Sequence, residues 1–363
     1  MAIDLTTLAE RLPDGLRARV SDERDLDRIV EFRNLFATPS QWLSPAAERH
    51  RQLTSPQPLL VTLLVEAASG DLVAVGSTSD GGSMRSPDGS WSVSLGVARP
   101  WRRRGIGRAL LEVLDAHARE HGARRLIAST HAADPDGARF AEASAYQAFH
   151  QRIDSYIEVP AFDASRFEDP DVAMGRIGVR LASYGALVSE HAGDLEAFQR
   201  AITTSVWPML RDIPSPRPLP ETPPPFEQAR LFFAGPQIDP ATTIIALRDG
   251  QVVGITLTEV KENSTAYTNI TGVARSERRR GIALAMKLRA LRALRERGVK
   301  LFGTTNDEQN AAMRGINRRL GYIPEPPTVM YEKRLGESVD GPLAEATGLN
   351  SSAGVRRKEG TGR

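Results

Sequence analysis

Two phrases constrain this chain more than anything else in it: "GVARPWRRRGI" at 96–106 and "GVARSERRRGI" at 272–282, an offset of 176 residues. Each follows a run with strand-like alternation, "SWSVSLGV" and "TAYTNITGV", and precedes a helical run, "RALLEVLDAHAREHG" and "ALAMKLRALRALRERG". At the same offset Trp91 falls on Tyr267, Gly122 on Gly298 and Tyr146 on Tyr322, so the register holds without a gap. A gap-free repeat of this length carries the same succession of element lengths twice. It describes a duplicated domain rather than a short solenoid unit.

Each copy reads as strand, basic turn, helix, strand, helix, strand. The buried strands "RRLIAST" and "VKLFGTT" follow the long helices, and "DSYIEV" and "TVMYEKRL" supply the last strands. Upstream lie hairpins turning at Gly70 and at Asp249-Gly250, preceded by amphipathic helices such as "DLEAFQRAITTSVWPML". This predicts an α+β, mixed α/β protein of two tandem domains, each a largely antiparallel sheet flanked by helices. The expected division is 1–159, a linker at 160–175, a second domain at 176–335 and a flexible tail at 336–363. The proline-dense "DIPSPRPLPETPPPF" excludes regular helix or central strand there.

Composition narrows the function classes. The net charge is only +2, and lysine occurs only at Lys261, Lys287, Lys300, Lys333 and Lys358, so arginine richness reflects overall composition rather than a nucleic-acid surface. Without cysteine there is no disulfide, thiolate metal site, zinc finger or acyl-cysteine intermediate, and no metal is expected. No apolar run is long enough to span a bilayer and no signal-peptide pattern opens the chain, which predicts a cytoplasmic protein without membrane partners. A Walker site fails because no Gly-Lys-Ser/Thr follows the glycine.

The repeated turn suits a diphosphate. A strand ending at Val273 and a helix opening near Gly281 leave orphan amides with partial positive charge at the helix start. Gly281 and the small Ala283 let phosphate approach the backbone, and Arg278, Arg279 and Arg280 add charge. Arg-x-x-Gly-x-Gly/Ala between a strand and a helix, at Arg102/Gly105/Gly107 and Arg278/Gly281/Ala283, resembles the motif of the GNAT superfamily of acyl-CoA-dependent N-acetyltransferases. The resemblance covers roughly 14–159 and 176–335, and is closest in the second half, where "TTNDEQNAAMRGINRRLGY" follows. It implies a splayed strand pair that receives acetyl-CoA as acyl donor. Val273, Ala274 and Arg275 would then meet the pantetheine arm, and Arg279, Arg280, Gly281, Ile282 and Ala283 the pyrophosphate, with Asn306 and Asn310 nearby. From its residue type alone, Asn310 also suits a helix N-cap.

The two copies differ behind the shared phrase: Asn306 becomes Thr130, Asn310 becomes Asp134 and Gly321 becomes Ala145. The second half is therefore expected to be the working acetyltransferase and the first a degenerate one. Without cysteine, direct attack by the amine in a ternary complex is the economical route. The tyrosine that protonates the thiolate in many family members falls on Asn317 here, which leaves Tyr267, Tyr322 or a water to substitute. Glu259 is the expected base, with Asn269 orienting substrate or water. Strand alternation places 267, 269 and 271 on one polar face. Trp207, Met209 and Phe226 are expected to wall an acceptor pocket for a small-molecule amine, with Asp212 or Glu221 recognising its ammonium group. A non-catalytic acyl-CoA or metabolite-binding protein is the rival expectation.

Overall fold

A computed structural model of the chain describes residue 3 and residues 5–235 and 238–335; the expected tail at 336–363 lies outside the described residues. The first half contributes strands β1 (Leu16–Val20), β2 (Val61–Ala67), β3 (Leu72–Ser79), β4 (Ser90–Val97), β5 (Arg125–His131) and β6 (Gln147–Glu158). The second contributes β7 (Arg180–Ser183), β8 (Ile244–Arg248), β9 (Gln251–Val260), β10 (Thr265–Val273), β11 (Leu301–Asp307), β12 (Ile323–Pro324) and β13 (Thr328–Arg334). They form one continuous sheet in the order β1-β2-β3-β4-β5-β13-β6-β11-β10-β9-β8-β7, with β12 on β6. Pairing is antiparallel except at β4–β5 and β10–β11.

That order exchanges the last strands. β13, the end of the second half, lies between β5 and β6, pairing Tyr331 with Ala128 on one side and Met330 with His150 on the other. β6 is long enough to serve both halves: residues near His150 pair with β13, and Arg152 to Glu158 pair with β11. A division of the chain at 159–176 therefore follows sequence order but not the sheet.

The helices that matter here are α1 (Leu26–Asn34), α2 (Pro45–Thr54), α3 (Ile106–Glu120), α4 (Pro135–Ala143), α5 (Leu195–Arg211), α6 (Phe226–Phe233), α7 (Ile282–Glu296) and α8 (Ala311–Leu320). α3 buries Ile106, Ala109, Leu110, Leu114 and Ala118, and α7 buries Ile282, Ala285, Met286, Leu291 and Leu294. That three-and-four spacing gives each helix one apolar stripe to lay on the sheet. Val329 of β13 packs with α3 and Ile157 of β6 with α7, and the β13–β6 register puts both on one face. α1 covers the other face through Phe32 against Leu64 and Val75, and α5 does so through Ile202 and Val206 against Ile255 and Leu257. Among the described residues no helix is long and apolar enough to cross a membrane.

Candidate functional site

β10 runs into a short 3-10 turn at Arg275–Glu277, then Arg278 in extended conformation (φ −66°, ψ 160°), Arg279 at φ 63° and Gly281 at φ 81°. The left-handed angle at Gly281 is one that side chains rarely adopt, and it aims the chain directly into α7. The helix ladder begins with Ala285 N–H on the Gly281 carbonyl at 3.0 Å, so the amides ahead of it have no partner within the helix. An exposed turn of this kind fits a diphosphate.

The arginines divide their work. Arg278 donates from Nε to the Val273 carbonyl at 3.0 Å, tying the turn to the end of β10. Arg279 and Arg280 are exposed. Asp212, just past α5, accepts from both Arg275 and Arg278. The hydrogen bond from Arg275, reinforced by Arg278, holds its carboxyl down at about 2. Asp212, expected to recognise an ammonium group, is instead clamped by two guanidinium groups and braces the turn that they belong to.

Beside the turn the sheet opens. β10 and β11 pair in parallel from Thr265↔Leu301 to Thr268↔Thr304, and no further. Beyond that point β10 keeps only its β9 partner, and the edge from Ile270 to Val273 faces the gap. A β-bulge between Thr268 and Ile270 places Asn269 outside the ladder. This bulge overturns the single polar face expected for 267, 269 and 271. Tyr267 pairs with Glu259 and Thr271 with Thr256, and because 259 and 256 differ by an odd number, their side chains leave opposite faces. Tyr267 and Glu259 share the α5 face, while Thr271 meets Thr256 at 2.6 Å on the α7 face.

Glu259 is not an exposed hairpin charge; it is 6% exposed. Burial pushes its carboxyl up, against the opposing pull of Lys261 and of a hydrogen bond from Asn269. Tyr267, raised by burial, donates its hydroxyl to Thr305 Oγ1 at 2.6 Å, and Thr305 donates to Asp154 on β6. Asp154 also receives Ser40 at 2.5 Å, Thr38 at 3.2 Å and Tyr156 at 3.3 Å. The Lys261 ammonium, lowered by burial, is held by the carbonyls of Ser40 and Trp42, each at 2.7 Å, with Pro39 at 3.4 Å. Sequence reasoning missed Asp154, Thr305, Ser40 and Lys261. Only the arrival of β6 and of the 38–42 loop from the first half makes them neighbours.

On the α7 face, Asn317 donates to Asn306 at 2.5 Å, both buried. Asn310 is the N-cap of α8, accepting from Met313 N at 3.2 Å. Tyr322 is buried among Leu288, Leu291 and Phe302, and burial pushes its hydroxyl well up. It is a core residue here and does not share the Tyr267–Glu259 face. Lys287, fully buried on α7, lies 4.9 Å from the Tyr322 ring centroid, and burial lowers it to about 7.

The expected acceptor wall is only partly assembled. Trp207 is buried on α5 and donates Nε1 to the Glu221 carbonyl at 3.1 Å, pinning the proline-dense segment. Its neighbour Met209 packs on Gly272, where an added Cβ would come within 2.9 Å of the Met209 Cβ. Phe226, half-buried, instead lies under the Arg200 guanidinium, 3.9 Å from the ring centroid.

These features define a class. The Acetyltransferase (GNAT) family matches residues 28–146 and 207–322, and the chain belongs to it, as a tandem GNAT protein. A tandem GNAT protein from the clavulanic acid biosynthesis pathway has a similar fold, with TM-score 0.66 at 20% identity over 89% of this chain and 99% of that one. So does a GCN5-related N-acetyltransferase from Sphaerobacter thermophilus, with TM-score 0.62 at 20% identity over 89% and 96%. In sequence, 106 residues are 30% identical to a mycothiol acetyltransferase of Thermomonospora curvata, covering 29% of this chain and 36% of the relative.

Proposed function

We propose that this protein is an acetyl-CoA-dependent N-acetyltransferase whose second half transfers an acetyl group to the amine of a small molecule. One observation carries the reading: the exposed arginine turn, the splayed strands and the pair of buried Glu259 and half-buried Tyr267 lie on consecutive strands of one half. Arg279 to Ala283 would hold the pyrophosphate through main-chain amides, and the open edge of β10 would line the pantetheine arm. The amine nitrogen attacks the thioester carbonyl carbon, the C–S bond breaks, and the proton leaving the amine passes to Glu259, directly or through a water. A carboxyl raised by burial is a better base near neutrality than an exposed one. Asn317, at the position of the usual acid, is committed to Asn306, so thiolate protonation falls to solvent or to another group. The relative in Thermomonospora curvata, a mycothiol acetyltransferase, agrees with a small-molecule acceptor.

The test is release of CoA thiol from acetyl-CoA against a panel of primary amines, alongside calorimetry of acetyl-CoA binding. Amine-dependent release with a single tight site per chain is expected. Binding without release for any amine would replace this reading with that of an acyl-CoA-binding protein, and two equal sites would overturn the assignment to the second half.

A further inference from the structure

The hydrogen bonds around Tyr267 have a direction, and that direction is set from the other half of the chain. Asp154 sits on β6 opposite Thr305 and is 5% exposed. Four hydroxyls converge on its two oxygens: Thr305 on Oδ1, and Ser40, Thr38 and Tyr156 on Oδ2. A carboxylate can only accept, so Thr305 spends its single proton on Asp154. The Thr305 oxygen is then left to accept, and the Tyr267 hydroxyl, 2.6 Å away, gives its proton to it. The Tyr267 hydroxyl is then left with lone pairs and no proton to offer a ligand, on the face of the sheet that it shares with Glu259.

From this we infer that Tyr267 is a hydrogen-bond acceptor that grips an N–H of the incoming amine, and that Asp154, through Thr305, is the positioning residue that fixes this polarity. The inference rests on the acetyltransferase reading and deepens it. It removes Tyr267 from the list of acids for the thiolate, since its one proton is already given away. It also gives the first half a part in the reaction. Asp154 and Ser40 both belong to the first half, and the Ser40 loop is the one whose carbonyls hold Lys261. The subsite so formed, Tyr267 Oη with the Glu259 carboxylate on the same face, is acceptor-rich, and the neighbouring Lys261 ammonium, 5.6 Å from the Tyr267 ring centroid, is already bound to the carbonyls of Ser40 and Trp42. Such a subsite takes a hydrogen-bond donor, an ammonium or primary amine with its several N–H groups above all, and gives a thioether no advantage.

Neutron diffraction of the deuterated full chain, with crystals soaked in methylammonium chloride as the probe, reads the polarity without turnover. The deuteron on Tyr267 is expected to point at Thr305, that on Thr305 at Asp154, with the methylammonium nitrogen in hydrogen-bonding range of Tyr267 Oη. A Tyr267 deuteron pointing into the cleft overturns the inference. The kinetic arm uses whichever primary amine the panel shows to be the best acceptor. Tyr267→Phe should raise its KM by about tenfold, the worth of one hydrogen bond to a charged group, with kcat within about threefold. Thr305→Val should give a smaller KM effect of the same kind. Loss of about a hundredfold or more in kcat at unchanged KM in Tyr267→Phe would instead identify an acid and overturn the proposal. If no amine supports CoA release, the acetyltransferase reading fails while the diffraction still decides the direction of the Tyr267 bond.

Discussion

The two halves keep the same turn and differ in what lies beside it. Arg103 and Arg279 share φ near 63° (64° and 63°), and Gly105 and Gly281 share the left-handed region at 84° and 81°. Arg102 ties its turn to the Val97 carbonyl at 3.1 Å just as Arg278 ties the other to Val273 at 3.0 Å. The exchange of Asn310 for Asp134 keeps the helix cap, Asp134 accepting from Gly137 N at 3.2 Å as Asn310 accepts from Met313 N. The differences begin one strand away. β4 pairs with β3 in unbroken register, with Ser79 opposite Ser92, whereas β10 carries the bulge and pairs with β9, which carries Glu259. Asp134 and Asp136 both stand 3.9 Å from Arg102, carboxylates where an anionic ligand would come, and the Phe140 ring lies against Gly107. A phosphate turn is made of a few local dihedrals and persists easily. The face that joins Glu259 to Tyr267 needs several strands in register, and the regular ladder of β3 and β4 lacks the bulge that lies beside it.

The largest break in this comparison should come from the two glycines. Gly105 and Gly281 have the same backbone strain and open space beside them, apart from Met174 3.8 Å from an added Cβ at Gly281, so valine at either costs similar stability. Gly281→Val should lower kcat/KM for acetyl-CoA by about a hundredfold, the scale of a lost oxyanion-type or phosphate-binding donor set, while Gly105→Val changes it by less than about threefold. Steady-state kinetics on the pair, with melting curves as the control, decides it; equal losses would mean that both turns serve catalysis.

Glu259 comes next. Its raised carboxyl makes activity climb with pH through a range above that of an exposed carboxylate, as the base form appears. Glu259→Gln should remove that climb and lower kcat by about a hundredfold, in line with general-base loss. The same raised value works against stability. The folded form holds its proton longer than the unfolded chain, so the contribution is full at low pH and fades as pH rises through the folded value.

The smallest expected effect concerns stability alone. Lys287 occupies the position that Leu111 holds in the first half. Burial lowers Lys287 to about 7, so between there and 10.5 the unfolded chain binds more protons than the folded one, and stability should rise with pH. Lys287→Met should stabilise the protein by about 1–3 kcal/mol at pH 7 and flatten that rise, as removal of a buried unpaired cation does. Denaturant melts at pH 7 and 9.5 would show it; a destabilised variant would mean that the ammonium has a partner essential to the fold.

The turns, the helix caps and the place of Glu259 were legible because each depends on residues within a few positions of one another. Gly281 announces a left-handed helix entry, Asn310 an N-cap, and the alternation of "VVGITLTEV" a strand that sets Glu259 near its end. The bulge at Asn269 was not legible. Alternation implies an unbroken face, and the extra residue shows only in the pairing with β9. Nor did residue type reveal that Asp212 serves two arginines, which lie 63 and 66 positions away.

The sequence by itself determined that one mixed α/β domain occurs twice, with the same arginine-rich turn in each and more polar residues behind it in the second. Tertiary structure alone decided that the copies exchange their last strands, and so brought Asp154 to Thr305 across 151 residues of chain. The physical reason is range. A turn's dihedrals follow from the residues in it, but the partner of a strand is whichever edge lies open when the sheet closes. Two copies of one domain offer equivalent edges, and nothing written locally in either strand distinguishes its own half from the other.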